Sequence, residues 1–100
     1  MVTEIALITI SIDQARQFEA AVAQAAPLFR NAPGCLGMAL ERSIESPQRY
    51  RLVVRWAEIE DHTVRFRNSD AFKSWRALAG HYFTATPEVE HVQEVGRYFG

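Results

Sequence analysis

The sequence lacks the features that mark several specialised classes of protein. Cys35 is its single cysteine, so one chain can form neither an intrachain disulfide nor a cysteine-based metal cluster. No run approaches the roughly 20 apolar residues of a membrane-spanning helix, and the first residues are too short and too acidic a stretch for a signal peptide. The formal net charge of −1 indicates neither nucleic acid nor an anionic membrane as a partner. We therefore expect a cytoplasmic protein.

What the sequence does contain is typical of one ordinary globular domain. Its 100 residues are 48% hydrophobic and 23% charged, which fits a folded chain, and we predict a single domain over residues 1–100. A chain of this length buries only about two-thirds of its unfolded surface. Self-association would therefore add useful burial.

The first half of the chain predicts a strand, a helix and a hairpin. The apolar, β-branched run from Ile5 to Ile12 indicates a central strand that is buried on both faces. Asp13 is suited to cap a helix from Gln14 to about Arg30, with a kink or early break at Pro27. The apolar stripe of that helix consists of Ala15, Phe18, Val22, Ala25 and Phe29. Two strands follow, around Leu36–Leu40 and Tyr50–Trp56, joined by a turn at 46–48.

The second half predicts two more helical segments and a last strand. Residues 58–67 look helical, and Ser69 can cap a helix that buries Phe72, Trp75 and Leu78. A final strand is predicted from Val89 to Tyr98. The resulting order βαββαβ predicts an α+β, ferredoxin-like fold: one antiparallel sheet with helices on one face. Because the other face of the sheet would stay bare, we expect two copies to pair there as a homodimer.

Several short motifs accompany this element order. They are Pro-Gly-x-x-Gly at 33–37, Trp56 at the end of the third strand, Phe-Arg-x-Ser-x-x-Phe-x-x-Trp-Arg-x-Leu at 66–78, and Pro-x-Val-Glu-His at 87–91. With these motifs the chain resembles the antibiotic biosynthesis monooxygenase family. The resemblance covers almost the whole chain and implies a dimeric α+β barrel. It is less specific for activity, since the family includes quinone-forming oxygenases, haem-degrading enzymes and isomerases.

Comparison with the family's functional positions separates these activities. The haem-degrading members resemble one another at three positions that here carry Ala6, Phe66 and Arg76, so the resemblance argues against haem degradation. The cofactor-free oxygenases use Asn, Trp, Tyr and Arg around an aromatic substrate. Trp56 and Arg76 match two of these positions, whereas His62 and Leu52 stand in the Tyr and Asn positions. Half of that set is kept and half is changed.

The favoured function is therefore a cofactor-independent monooxygenase that acts on a small aromatic or quinone-like molecule. Such an enzyme must remove a proton, stabilise an oxyanion and exclude water. We predict His62 and Arg76 as the catalytic residues: His62 accepts the proton and Arg76 holds the oxyanion. The residues predicted to bind the substrate are Trp56, Trp75, His81 and Tyr82. No cofactor is expected, and the three histidines lack the close spacing of metal ligands.

Each of these residues also has a purely structural interpretation. Trp75 shares a stripe with core residues, Arg76 can simply pair with Glu58 or Asp61, and His62 can be a solvated helix residue. His81 and Tyr82 follow the end of a helix, where a histidine complements the helix dipole. We expect His91 to lie at the dimer interface. The alternative function is accordingly a non-catalytic dimer that binds small molecules or serves in stress.

Overall fold

The structure, a computed structural model that describes residues 1–100, is a four-stranded antiparallel sheet with helices packed on one face. The strands are β1 (Val2–Thr9), β2 (Cys35–Arg42), β3 (Arg49–Trp56) and β4 (Glu88–Val92), in the order β2-β3-β1-β4. Helix α1 (Ala15–Arg30) follows β1, and helix α2 (Asp70–Ala79) precedes β4. A π-helical segment, Asp61–Phe66, leads into α2, and one-turn 3-10 helices occupy Ile12–Gln14 and Gly80–Tyr82. The predicted ferredoxin-like order is confirmed.

The core lies between the sheet and the helices. Side chains at alternate positions of β1 and β3 are buried, because successive residues of a strand point to opposite faces. The α1 stripe packs against them as its spacing predicts. Fourteen buried residues form one cluster: Ala6, Ile8, Ile10, Phe18, Val22, Ala25, Phe29, Tyr50, Leu52, Val54, Trp56, Phe66, Trp75 and Ala79.

The other face of the sheet, here called the outer face, is uncovered in the single chain. β1 was predicted to be buried on both sides, yet Leu7 is 44% exposed on this face. At its centre Ile5 pairs in register with Val53 of β3 and with Glu90 of β4. The apolar residues of β1 therefore fill one covered face and leave a second apolar strip in the open.

Three boundaries differ from the prediction. Asp13 does not cap α1: the chain enters the helix through a 3-10 turn, and Gln14 takes the cap position without a side-chain hydrogen bond. The helix continues through Pro27 to Arg30, so the predicted early break is absent. β4 ends at Val92, because its partner β1 begins at Val2 and already pairs Thr3 with Val92. Residues 93–100 run past that end without a strand partner.

Candidate functional site

Trp56 is the last residue of β3, and the buried polar side chains of Glu4 and His62 lie beside it. It is the last of the inward-facing positions of β3, and its side chain is fully buried. In register it lies opposite Val2 on β1 and Cys35 on β2. Its Nε1–H donates a hydrogen bond of 3.0 Å to Glu4 Oε1. A buried indole N–H usually finds a partner of this kind, and here the partner is a carboxyl group.

Glu4 is the functional candidate that the sequence analysis missed. It occupies an inward-facing position of β1 between Val2 and Ala6 and is 5% exposed. The sequence does carry one sign of this position. Val2, Glu4, Ala6 and Ile8 occupy every second position of β1 and therefore lie on the same face of the strand. The nearly continuous apolar run from Ile5 onward hid that alternation, since a strand buried on both faces gives no reason to assign Glu4 to either.

The π-helical segment brings His62 onto Trp56. The backbone N–H of Arg67 donates to the carbonyl of His62, five residues earlier, which is the hydrogen bond that widens a helix of this type. The imidazole stacks on the indole, with ring centroids 5.5 Å apart and an interplanar angle of 18°. His62 is 3% exposed, so the interpretation of a solvated helix residue is wrong.

His62 links two other titratable side chains. Its Nε2 lies 3.4 Å from Glu4 Oε1, and its Nδ1 lies 2.8 Å from Nε2 of His91. His91 pairs in register with Glu4 and is half-buried. It therefore turns towards the helix-covered side rather than to the outer face where we expected an interface. We call Glu4, Trp56, His62 and His91 the Glu4 cluster.

Asp61 fixes the start of the π-helical segment. Its side chain is buried, accepts the backbone N–H of Glu58 at 3.0 Å, and lies 3.3 Å from Arg65. It fills the space beside Gly34, where a Cβ would overlap the carboxylate. Gly34 has φ +80°, a left-handed conformation that glycine adopts without strain. The turn before β2 thereby holds the segment that carries His62.

Burial sets the protonation of the Glu4 cluster. It raises the pKa of Glu4 to about 7, opposed by the Trp56 hydrogen bond and by the charge of Arg67. Burial also lowers the pKa of His62 to about 4, helped by Arg67 and His91, and lowers the pKa of His91 for the same first reason. At neutral pH both imidazoles are uncharged, and Glu4 is the member that changes charge.

The remaining predicted site residues lie together at the end of α2, apart from the Glu4 cluster. Trp75 is buried in the core, 5.3 Å from Phe29 between ring centroids, as its stripe suggested. Arg76 is exposed, pairs with neither Glu58 nor Asp61, and lies 5.8 Å over the ring of Phe83. His81 is exposed against half-buried Tyr82. The structure thus brings together Trp56 and His62 but does not bring Arg76 to them.

No large cavity opens beside Trp56. A cavity of about 770 Å³ lies where β1, β3 and the β2–β3 hairpin meet, and includes Arg49, Arg51 and Glu88 in its wall. A second, of about 270 Å³, lies between the end of α1 and the start of α2. Neither is lined by Trp56 or His62. Phe66 occupies the space beside Trp56, with ring centroids 5.5 Å from Trp56 and 4.7 Å from Phe29.

The side chains do not converge on a metal site. No three His, Cys, Asp or Glu groups are arranged to hold an ion. In the Glu4 cluster the two ring nitrogens of His62 point to different partners, so the side chains do not face one shared position that an ion could occupy. None of the helices has the length and apolar character that crossing a membrane requires.

Comparison with known proteins gives a consistent match. Residues 1–78 fit the family model described as antibiotic biosynthesis monooxygenase. The uncharacterised protein YczJ of Bacillus subtilis is 38% identical over 95 residues, covering 95% of this chain and 100% of that protein.

Solved structures agree. A Bordetella bronchiseptica protein provisionally assigned to the antibiotic biosynthesis monooxygenases is 51% identical, with a TM-score of 0.92, and the match covers 94% of this chain and 96% of that one. SnoaB, a cofactor-independent oxygenase from Streptomyces nogalater, has a TM-score of 0.83 at 18% identity, covering 97% of this chain and 95% of its own. At that identity the likeness to SnoaB shows the fold alone.

Proposed function

Because the chain belongs to the antibiotic biosynthesis monooxygenase family, which supports a monooxygenase-like function, we propose that it is a cofactor-independent monooxygenase for a small aromatic, quinone-like substrate. The observation that carries the proposal is the Glu4 cluster: a flat indole face, a neutral imidazole and a carboxyl group that titrates near neutrality, all excluded from water. The proposed setting is the cytoplasm, where the free thiol of Cys35 stays reduced.

The reaction needs no redox group from the protein. A hydroquinone loses a phenolic proton, and its electron-rich ring then reduces O₂ directly. Overall, one hydroquinone and one O₂ give one hydroxyquinone and one water, and all four electrons come from the substrate. The protein's tasks are to hold the ring, accept the proton and exclude bulk water. Trp56 supplies the ring face and His62 the nearest imidazole, which are the roles predicted for them.

Substrate access requires movement of the π-helical segment. Trp56 is 0% and His62 3% exposed, so no substrate contacts either while the segment is closed. π-Helical turns are frequent at functional sites, and the backbone hydrogen bond from Arg67 to His62 that defines this one is 3.2 Å long. Substrate binding should therefore change the backbone hydrogen exchange of residues 61–67 more than that of α1.

The end of α2 forms the second part of the proposed site. The Arg76 guanidinium makes no ion pair in the chain and is free to meet an oxyanion. Trp75, His81 and Tyr82 lie beside it and stay proposed as substrate contacts. An opened interior between Trp56 and this end would place the substrate ring between the two parts.

The proposed assembly is a homodimer through the outer face. Along this face β3 carries a column of arginines, Arg49, Arg51 and Arg55, which form no ion pair within the chain. β4 carries Glu88 and Glu90 on the same face, on the other side of β1. A two-fold axis along β1 sets the arginines of one copy over the β4 glutamates of the other. The apolar centre at Ile5 and Val53 is then buried between two oppositely charged borders.

Sedimentation at micromolar concentration tests the assembly. Val53→Asp puts a charge in the apolar centre and is expected to give a monomer, whereas the control Ala20→Asp, at an exposed position of α1, is expected to leave the dimer intact. A wild-type monomer at that concentration would refute the proposed assembly.

Oxygen uptake tests the activity. The full chain is incubated with a panel of hydroquinones, with and without air, and oxygen consumption and quinone absorbance are followed. His62→Gln should lower the rate by about 100-fold, the usual size of a general acid–base contribution. Uptake that Arg76→Ala leaves unchanged would refute the oxyanion role of Arg76, and uptake no faster than without protein would refute the activity.

One observation favours the alternative function, a non-catalytic dimer that binds small molecules. The interior around Trp56 is filled by the protein's own aromatic rings, and Arg76 lies at the surface. A binding protein of this kind would quench Trp56 and Trp75 fluorescence with quinones that it does not turn over. Saturable quenching without oxygen uptake would select it.

A further inference from the structure

A chain of polar side chains runs from the buried interior to the edge of the sheet. It begins at Glu4, which is held by the Trp56 N–H at 3.0 Å. It passes through His62, whose Nε2 lies 3.4 Å from Glu4 Oε1, and it ends at His91, whose Nε2 lies 2.8 Å from His62 Nδ1. Glu4 and His62 are buried, whereas His91 is half-buried on the edge strand β4. This series of side chains therefore reaches solvent at one end only, at His91.

We infer that Glu4, His62 and His91 form a proton relay that connects a buried carboxylate with solvent at β4. The inference rests on the proposed function and refines it: Glu4 is the first acceptor of the substrate's proton, His62 passes the proton on, and His91 is its exit. Each of the three comes from a separate element, β1, the π-helical segment and β4, so the fold and not a local motif creates the path.

The transfer balances without any redox change. The substrate O–H bond breaks and the proton passes to the Glu4 carboxylate. Glu4 then donates it to Nε2 of His62, while His62 donates its Nδ1 proton to Nε2 of His91, and His91 releases its Nδ1 proton to water. One proton leaves the substrate and one enters solvent, Glu4 is again a carboxylate, and both imidazoles stay neutral with inverted tautomers. The inverted tautomers are restored by ring rotation or by a return passage.

The protonation states suit this role. A relay works best when its acceptor has a pKa near the working pH, and burial raises the pKa of Glu4 to about 7. Both imidazoles are neutral there, so each has one N–H to give and one lone pair to accept. The charge of Arg67, beyond the π-helical segment, acts on Glu4 and on both imidazoles, and the charge of Glu4 in turn helps burial to raise the pKa of Cys35 on β2. Trp56 only donates and therefore positions the carboxyl group.

A purely structural role explains the arrangement less well. A buried carboxyl group without a cationic partner costs folding free energy when it ionises, and an apolar residue would fill the same space without that cost. The 3.4 Å separation of Glu4 and His62 is longer than a good hydrogen bond, as is common for catalytic contacts in the absence of substrate. Strongly shifted titrating groups in contact with one another are typical of functional sites.

Nuclear magnetic resonance on the full chain tests the connection without any substrate. The ¹³C carboxyl and ¹⁵N imidazole resonances are followed between about pH 4 and pH 9. Ionisation of Glu4 should shift the imidazole resonances of both His62 and His91 with one shared midpoint. That shared inflection should vanish in Glu4→Gln and persist in the control Asp13→Asn, which changes an exposed carboxyl group outside the Glu4 cluster. His91 resonances that ignore the Glu4 midpoint would overturn the relay.

Oxygen uptake with an accepted hydroquinone tests the flow of protons. Glu4→Gln keeps the shape of the side chain and should lower kcat by about 100-fold and remove the inflection of the rate near neutral pH. His91→Gln should lower kcat less, and added imidazole, which can occupy the vacated edge of β4, should restore it. An unchanged kcat in Glu4→Gln, or a loss in His91→Gln that imidazole does not restore, would overturn the relay.

The two arms separate the relay from the proposed function. If no hydroquinone is consumed by the wild type, the proposed function fails, and the resonance titration still decides whether the three groups share their protons. If uptake is fast and insensitive to Glu4→Gln, the function stands and the relay fails.

Discussion

At each end of β3 a buried aromatic side chain donates a hydrogen bond to a glutamate, but the two glutamates lie in different surroundings. At one end Tyr50 donates its hydroxyl hydrogen to Glu19 at 2.6 Å, and at the other Trp56 donates its ring N–H to Glu4 at 3.0 Å. Glu19 lies at the surface of α1 with Arg42 3.7 Å away, and the Arg42 guanidinium lies over the Tyr50 ring at 5.5 Å. Glu4 has no such cation in contact and lies among neutral imidazoles.

The difference shows what makes a polar contact titrate at physiological pH. Burial, with the hydrogen bond to Glu19, raises the pKa of Tyr50 to about 12, so its hydroxyl stays protonated under all ordinary conditions. Burial alone raises the pKa of Glu4 to about 7. The Tyr50 end is therefore a fixed support, whereas the Trp56 end exchanges a proton near neutrality. The packing that surrounds the carboxyl group, not the aromatic donor, decides between the two outcomes.

The largest expected effect concerns the backbone that holds the Trp56 end in place. Gly34→Ala should lower the free energy of unfolding by about 4 kcal/mol, since it combines a left-handed backbone with a clash against buried Asp61. Chemical denaturation at fixed protein concentration measures it.

The matched control for Gly34→Ala is Gly37→Ala. Its new methyl group meets the end of the Arg55 side chain, which is exposed and can swing aside, and the backbone there is not left-handed. A loss of less than 1 kcal/mol is expected at Gly37. Equal losses at both glycines would show that Asp61 does not anchor the π-helical segment.

The next largest effect is on the pH dependence of the free energy of unfolding. We expect it to change in opposite directions in two single variants. Because the folded-state pKa of Glu4 is about 7 against an ordinary 4.5, the wild type loses about 3 kcal/mol as pH rises through that window. Because the pKa of His62 is about 4 against an ordinary 6.5, it loses about 3 kcal/mol as pH falls through that window. The two losses largely offset each other in the wild type.

Single variants should expose the two slopes. Relative to wild type, Glu4→Gln should gain stability as pH rises from about 4.5 to 7, and His62→Gln should gain as pH falls from about 6.5 to 4. Denaturation curves across this range measure both. Parallel curves for wild type and Glu4→Gln would mean that Glu4 titrates as an ordinary surface carboxyl group.

The smallest effect is expected at the Tyr50 end. Tyr50→Phe removes one hydroxyl whose partner, Glu19, is exposed and can turn to water, so the loss should be about 1 kcal/mol and independent of pH near neutrality. Thermal unfolding at two pH values measures it. A pH-dependent loss like that at Glu4 would remove the distinction between the two ends of β3.

The sequence predicted the fold well because the fold depends on patterns that the chain repeats. Alternation in β3 and the stripe of α1 appear in the structure as read, since each follows from one element meeting one apolar layer. The end of β4 was misjudged because it depends on where its partner β1 begins, which no local pattern encodes. The predicted cap of α1 at Asp13 is absent for a similar reason, because a 3-10 turn moves the start of the helix to a later residue.

The candidate site was harder to predict, because four elements build it. The sequence predicts Trp56 as a substrate-binding residue and His62 as a catalytic residue, and in the structure their rings stack. Glu4 was not predicted, because a strand that is expected to be buried on both faces gives no reason to assign Glu4 to one of them. The contact of His91 with His62 depends on the pairing of β4 with β1, which places residues 29 positions apart side by side.

The short edge strand has a mechanical consequence. β4 spans five residues and hydrogen-bonds to a single neighbour, so it is the strand of the sheet that detaches with the least work. His91 is one of its residues. If β4 separated from β1 over a few residues, His91 would lose its contact with His62 and water would reach the buried carboxyl group of Glu4. The pKa of Glu4 therefore depends on how stably β4 is attached to the sheet.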